Sequence, residues 1–424
     1  MTQLKVLICG GGIAGNALAV WLSRLGHDVT IIERFPSLRA TGLQIDLRGH
    51  GIEVMRRMGL EQQFRAKSVD EQGLAIVDGA GRQWAFFPAN RSGKGAQSFT
   101  TDYEIMRGDL CQLLHDATKG RVRYVFGSSL ESFEESDNSV EARFSDGKTE
   151  RYDLIVGADG QGSRTRKLMF GPGAEEDCFH SLGAYIAYFT IPRPAQEGEK
   201  FIGTMYMAPG KRSLFVRRHN SHSVQAYLIC VADSERLRKC QKGDVNEEKG
   251  ALTELFRGAG WQSDWILKSM ENADDFYCER LGVVKLDAWS SGRTTLVGDA
   301  GYCPSATTGM GTSSALVGAY ILAGEIGRHC GHPGRNGTKD ELAMALKEYE
   351  QKFRPFMDQV QRGLSRESSP WQKFPSSWLA IAILNFLLAV ACFLRLEVFA
   401  TWFLREEVEG WTLPDYKELV DGEE

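Results

Sequence analysis

The chain has 424 residues, 42% of them hydrophobic and 25% charged, enough to bury one large core or two smaller ones. Its formal net charge is −5 and it holds no long basic tract, which argues against nucleic acid as its main partner. Nine cysteines and eight histidines are scattered without metal-ligand spacing. Metal catalysis therefore has no support, and the thiols are expected to stay reduced in a cytoplasmic setting.

The opening MTQLKV enters an apolar run almost at once, with no secretory h-region before it. Val6 to Glu33 then reads VLICGGGIAGNALAVWLSRLGHDVTIIE. A short apolar strand meets Gly10, Gly12 and Gly15 in GxGxxG spacing, a helix follows, and a second apolar strand ends in Glu33. That order is a dinucleotide-binding unit. Gly10 permits the tight turn, Gly12 lets the backbone approach a pyrophosphate, and Gly15 lets the helix pack close. The helix N-terminus, with Ile13 and Ala14, faces the phosphate charge. Glu33, followed by Arg34, can accept hydrogen bonds from both hydroxyls of an adenosine ribose. It disfavours a 2′-phosphate, so NADP is a poor occupant of this particular site.

The loop-rich stretch after the second strand holds Arg39, Gly42, Asp46 and Arg48, and a helix is expected over 51–58. Residues 72–103 read as short strands broken by Gly and Ser, an excursion from the main sheet. A helix starts just after Arg107, with Leu110, Leu113 and Leu114 on one face. Residues 122–156 alternate with period two. DLIVGADG, at 153–160, is an apolar strand ending in a glycine turn, a usual ligand position in open α/β sheets.

From 176 to 235, β-like runs separated by Pro, Gly, Asn and Ser suggest a mostly antiparallel second domain. Residues 247–258 look helical. TTLVGDAGYCP at 294–304 returns to the parallel-sheet pattern, and a tightly packed Ala/Gly/Leu-rich helix is expected over 311–326. Near the C-terminus, 378–394 reads WLAIAILNFLLAVACFL, slightly short of the about 20 residues of a spanning helix. Arg395 and Glu397 follow, then VFATWFL. Three arrangements fit this region through residue 404: a helix packed on the dinucleotide-binding domain, a membrane anchor or interfacial helix, or a homodimer contact.

Three segments together resemble a known family. They are the GxGxxG unit, DLIVGADGQGSR at 153–164 and RTTLVGDAGYCPSATTGMG at 293–311. The chain is similar to the class A FAD-dependent aromatic hydroxylases with the para-hydroxybenzoate hydroxylase fold, near the tetracycline-oxidising subgroup. The second and third segments resemble that family's DG and GD motifs. The resemblance implies an α/β fold: a Rossmann-like FAD-binding domain, an inserted antiparallel substrate domain and a C-terminal helical region. The expected boundaries are 1–175 and 276–335 for the FAD-binding domain, with 72–103 reaching the substrate side, 176–275 for the substrate domain, and 336–424 for the helical region.

The resemblance also implies residue roles. Asp299 should face the ribityl chain and pyrophosphate of FAD. Gly309, Gly311 and Thr312 would let backbone amides approach the flavin, where a helix N-terminus stabilises negative charge. The family usually carries Gln where this chain has Met310, and its loop proline is displaced to Pro304. Arg107 would touch the ribityl or phosphate region. Asp159 would link the FAD and NADPH-responsive regions, while Asp46 and Arg39 lie where relatives meet the flavin. NADPH or NADH would approach only transiently, which fits the lack of a second GxGxxG. Reduced flavin would activate O2 at its C4a position for transfer to an electron-rich aromatic or enolic carbon. In the substrate domain the candidates are Tyr185, Tyr188, Tyr206, Phe215 and Tyr227, with Arg212, Arg217 and Arg218 as cations for an acidic or phenolate substrate. Epoxidation, Baeyer–Villiger insertion and plain dehydrogenation fit the same motifs, as does a membrane-associated flavoprotein without enzymatic activity. A halogenase does not, since WxWxIP is missing.

Overall fold

The first strand, Lys5–Cys9, pairs in parallel with Asp28–Glu33 on one side and Leu154–Gly157 on the other. These three strands form the centre of a six-stranded sheet in the computed structural model, which describes residues 3–39, 42–89, 103–171, 178–232, 234–240, 244–330, 338–368, 370–394 and 408–420. Val122–Phe126 extends one edge, and Thr294–Leu296 with the short antiparallel Ser290–Ser291 extends the other. Alternation divides the first strand between two cores. Val6 and Ile8 pack with the helices Ile13–Arg24 and Gly311–Cys330. Leu7 and Cys9 pack against the three-stranded antiparallel sheet Leu130–Glu135, Val140–Phe144 and Thr149–Tyr152. A central parallel strand covered on both faces needs such an unbroken apolar run.

The second sheet has seven strands. Its order is Tyr277–Val284, Phe179–Pro192, Ser223–Val231, Arg212–Arg217, Gly203–Ala208, Gly73–Val77 and Gln83–Pro88. All neighbours are antiparallel except Gly203–Ala208 with Gly73–Val77. Part of the 72–103 excursion thus supplies two strands, residues 90–102 lying outside the described set. Strand pairing also carries this sheet past residue 275 into Tyr277–Val284, because an edge strand is claimed by its hydrogen bonds rather than by local composition.

The two faces of the sheet bury different things. Tyr185, Ala187, Leu214, Ala226 and Leu228 face the helices Val245–Phe256 and Ser263–Glu271. Ile76, Tyr188, Met207, Phe215 and Tyr227 face the other way, toward the cavity. The helix Trp378–Phe393, whose N-cap Ser377 accepts a 3.3 Å hydrogen bond from the Ala380 amide, packs on that second face. Ile381, Leu384 and Leu388 are its inward side chains. Of the three arrangements, packing on the FAD-binding domain is therefore corrected: the helix meets the substrate sheet, where its inward side chains join the apolar cluster of Leu74, Ile76 and Met207. Among the described residues no helix is long and apolar enough to cross a membrane. Residues 395–404 lie outside the described set.

Candidate active site

A cavity of about 2610 Å³ runs between the two sheets. It exceeds the roughly 300–1,000 Å³ of a small-ligand pocket, so it can accept a large cofactor and a substrate together.

One end is built by the GxGxxG turn. Gly10 sits at φ +115°, and a Cβ there would lie 2.5 Å from the Ala158 carbonyl oxygen. A Cβ on Gly15 would overlap the Gly10 carbonyl, so the helix can approach the strand only through glycine. Gly12 is the N-cap of Ile13–Arg24 with no side-chain cap, which leaves the first amides of the helix for an anion. Asn16 Nδ2 donates to the Gly11 and Gly12 carbonyls at 2.6 and 2.9 Å and fixes the turn. Glu33 accepts from the Gly11 amide at 2.8 Å through Oε2 and from the Phe35 amide at 3.1 Å through Oε1. A carboxylate offers about four lone-pair sites, so acceptor capacity is left for ribose hydroxyls. Ile13, Ala14 and Arg34 border the same end, Arg34 at the exposed rim.

Arg107 begins the helix Arg107–Asp116 and reaches across to this turn. A Cβ on Gly12 would lie 3.7 Å from its Nη2. Asp299 begins the short helix Asp299–Tyr302 directly after the strand Thr294–Leu296 and its glycine turn. Burial raises its carboxyl above the ordinary range, and the charge of Arg107 acts in the opposite direction. Gly309 adopts the left-handed conformation at φ +66° and Ser305, unusually for a non-glycine, sits at φ +67°. Among the described residues Ser305 Oγ and Thr307 Oγ1 are buried without a hydrogen-bond partner, and no atom lies within 4 Å of a Cβ built on Gly311. Unpartnered hydroxyls and an open helix N-terminus on a cavity wall are what a polar cofactor edge would fill. These features, together with the phosphate turn and Glu33, fit an FAD.

Other expected contacts are placed differently. Met310 is 3% exposed and packs in the main core, so it is absent from the cavity wall, while Gly309, Gly311 and Thr312 line it. Asp159 borders the cavity, but its carboxylate closes its own turn: it accepts from Ser163 Oγ at 2.5 Å and from the Thr165 amide and hydroxyl at 2.9 and 3.0 Å. Asp46 lines the cavity and is held by fully buried Arg48, whose Nε donates at 3.0 Å. Arg39 borders it too, with its guanidinium 4.9 Å from the Tyr277 ring centroid.

On the substrate side, Tyr206 and Arg212, two of the expected candidates, lie on the face away from the cavity. Tyr206 OH donates to the Ala259 carbonyl at 2.8 Å, and Arg212 donates to the Pro209 and Leu255 carbonyls at 2.8 and 2.7 Å, both behind the sheet. Strand side chains alternate, so Met205 and Met207, with Ser213, Phe215 and Arg217, are the ones that line the cavity. Arg217 is present but engaged by Glu71 and Glu104.

Glu279 is a cavity residue that no motif marks. It lines the cavity from Tyr277–Val284 and accepts from Gln161 Nε2 at 3.3 Å. Burial and the neighbouring Asp299 push its carboxyl up to about 7, with Arg107 opposing. Its signal is a single acid in a β-like run, which ordinarily marks a solvated face.

Comparison with known proteins places this geometry. Residues 3–362 match the FAD binding domain family. The chain is 49% identical to the FAD-dependent monooxygenase asL4 of Sarocladium schorii over 99% of this chain and 100% of that protein. It is 43% identical to the flavin-dependent monooxygenase eupH of Phoma sp over 84% and 85% of the two chains. Its fold superposes on the crystal structure of tetracycline destructase Tet(51) with a TM-score of 0.76 and 30% identity, covering 98% of this chain and all of the other. The chain belongs to the FAD-binding-domain family, among its FAD-dependent monooxygenases.

Proposed function

We propose that this monooxygenase hydroxylates an aromatic or enolic carbon of a polyketide-like secondary metabolite, with NADPH or NADH as transient hydride donor and O2 as the oxygen source. One observation carries the reading: a single cavity joins a phosphate-binding turn and an anion-favouring helix N-terminus to an apolar sheet face. When bound, FAD supplies hydride acceptance and oxygen activation.

The chain's own residues do the rest. The amides after Gly12, with Glu33 and Arg107, hold the adenosine and pyrophosphate. Asp299 orients the ribityl hydroxyls. Amides at the start of Gly311–Cys330 would hold the polar edge of the flavin and favour negative charge there. The sheet face under Trp378–Phe393 holds the substrate ring and excludes water. Trp378, Phe386 and Phe393 on the outward face of that helix are 72%, 59% and 85% exposed. This apolar face supports in-plane contact with a lipid surface, read by co-flotation with vesicles.

The test is an anaerobic absorbance titration of the FAD-loaded protein with NADPH and NADH, with and without phenols. Flavin bleaching that a phenol accelerates is the expected outcome. No bleaching with either nucleotide would contradict the reading.

A further inference from the structure

Arg212, Arg217 and Arg218, the cations expected for an acidic substrate, are all engaged. Arg212 points behind the sheet to backbone carbonyls. Arg218 is 3% exposed and donates to the Arg193, Asn220 and Ser223 carbonyls at 2.9, 3.3 and 3.2 Å. Of these three, only Arg217 borders the cavity. Its Nε and Nη2 each lie 2.8 Å from a Glu71 oxygen, and Nη2 also lies 2.9 Å from Glu104. Glu104 accepts in addition from Gln44. Burial raises the Glu104 carboxyl well above its ordinary range, with the Arg217 charge acting against it. A substrate carboxylate brought to Arg217 would have to displace the two-pronged ion pair with Glu71 and would face the Glu71 and Glu104 carboxyl groups at close range.

Away from that polar cluster the sheet face is apolar. Ile76, Met205, Met207 and Phe215 form the floor, and Leu384 and Leu388 of the Trp378–Phe393 helix form the roof. Arg280 borders the cavity but lies over the Phe179 ring and donates to Ser181 Oγ at 2.9 Å. Lys373 and Arg238, which also border it, are solvent-exposed, where a charge pair contributes little.

We infer, resting on the function proposed above, that the substrate is an electrically neutral, lipophilic phenol or enol, recognised by apolar contact rather than by an arginine–carboxylate pair. The Arg217–Glu71–Glu104 cluster is then a specificity element: it keeps the Arg217 guanidinium paired and sets two carboxyl groups against an approaching acid.

The experiment uses the FAD-loaded wild-type protein and a matched pair of ligands, a pentyl-substituted resorcinol and the same resorcinol bearing a ring carboxylate. Dissociation constants come from perturbation of the flavin absorbance, and NADPH oxidation is followed in parallel. The neutral phenol is expected to bind at least about tenfold more tightly and to be the better stimulator of NADPH oxidation. Equal or tighter binding of the acid overturns the inference. Binding of neither overturns it as well, and the flavin then distinguishes the cause. If NADPH still reduces it, only the neutral-phenol assignment falls. If neither nucleotide reduces it, the proposed monooxygenation falls with it.

Discussion

The carboxylate of Glu33 accepts a 2.8 Å hydrogen bond from the amide of Gly11. The acid that ends the second strand thereby braces the phosphate turn as well as facing the ribose position. Replacing Glu33 by Ala removes a charged acceptor from both. Such bonds contribute about 1.5–3 kcal/mol each, so FAD affinity should fall by roughly 10- to 100-fold in a fluorescence-quenching titration. An unchanged dissociation constant would place the ribose elsewhere.

Gly10 tests the turn itself. Its φ of +115° and the 2.5 Å approach of a Cβ to the Ala158 carbonyl make even alanine strained there. Gly10→Ala should cost on the order of 1–3 kcal/mol in thermal unfolding without FAD, and should abolish flavin retention on a desalting column. Full flavin loading of this variant would show that the turn has slack.

Glu279 provides a pH signature. Its carboxyl is raised to about 7 in the fold, chiefly by burial and then by Asp299. Between an unfolded value near 4.5 and that folded value, the native state binds the extra proton. Its contribution to stability is therefore fully present at low pH, declines as pH rises through this window, and is lost above about 7. The total is at most about 3 kcal/mol. Unfolding of the FAD-free protein should show this component of destabilisation, and Glu279→Gln should remove it. Identical pH slopes in the two proteins would mean that Glu279 is ionised throughout.

Face parity on the substrate sheet separates two neighbours. Tyr206→Phe deletes only the hydrogen bond to Ala259 behind the sheet, so it should cost about 1 kcal/mol of stability and leave phenol affinity unchanged. Met207→Ala removes apolar surface from the cavity floor and should weaken phenol binding by about 1–2 kcal/mol with FAD affinity intact. The reverse pattern, read by flavin absorbance titration, would put the substrate on the other face.

The same pair shows what was legible in the sequence. GxGxxG, the acid at Glu33 and the GD acid at Asp299 are local: strand, turn and helix follow one another in sequence, so spacing alone places them on the cavity wall. Tyr206 and Arg212 are legible as strand residues but not by face, because a period-two pattern apolar on both sides carries no sign of which side is the cavity. Met310 sits between two glycines of a visible motif, yet its side chain turns into the core, a choice made by packing. The engagement of Arg217 depends on Glu71 and Glu104, more than 100 residues away. The docking of Trp378–Phe393 likewise depends on a sheet face assembled from distant strands.

The most direct test of the central claim is the reaction of FAD-loaded protein with NADPH, labelled O2 and a neutral alkyl-substituted resorcinol, with the product read by mass spectrometry. Monooxygenation requires one oxygen atom from the gas in the hydroxylated product, for each nucleotide consumed in coupled turnover. A product oxidised without label, or nucleotide consumed only to make hydrogen peroxide, would contradict it.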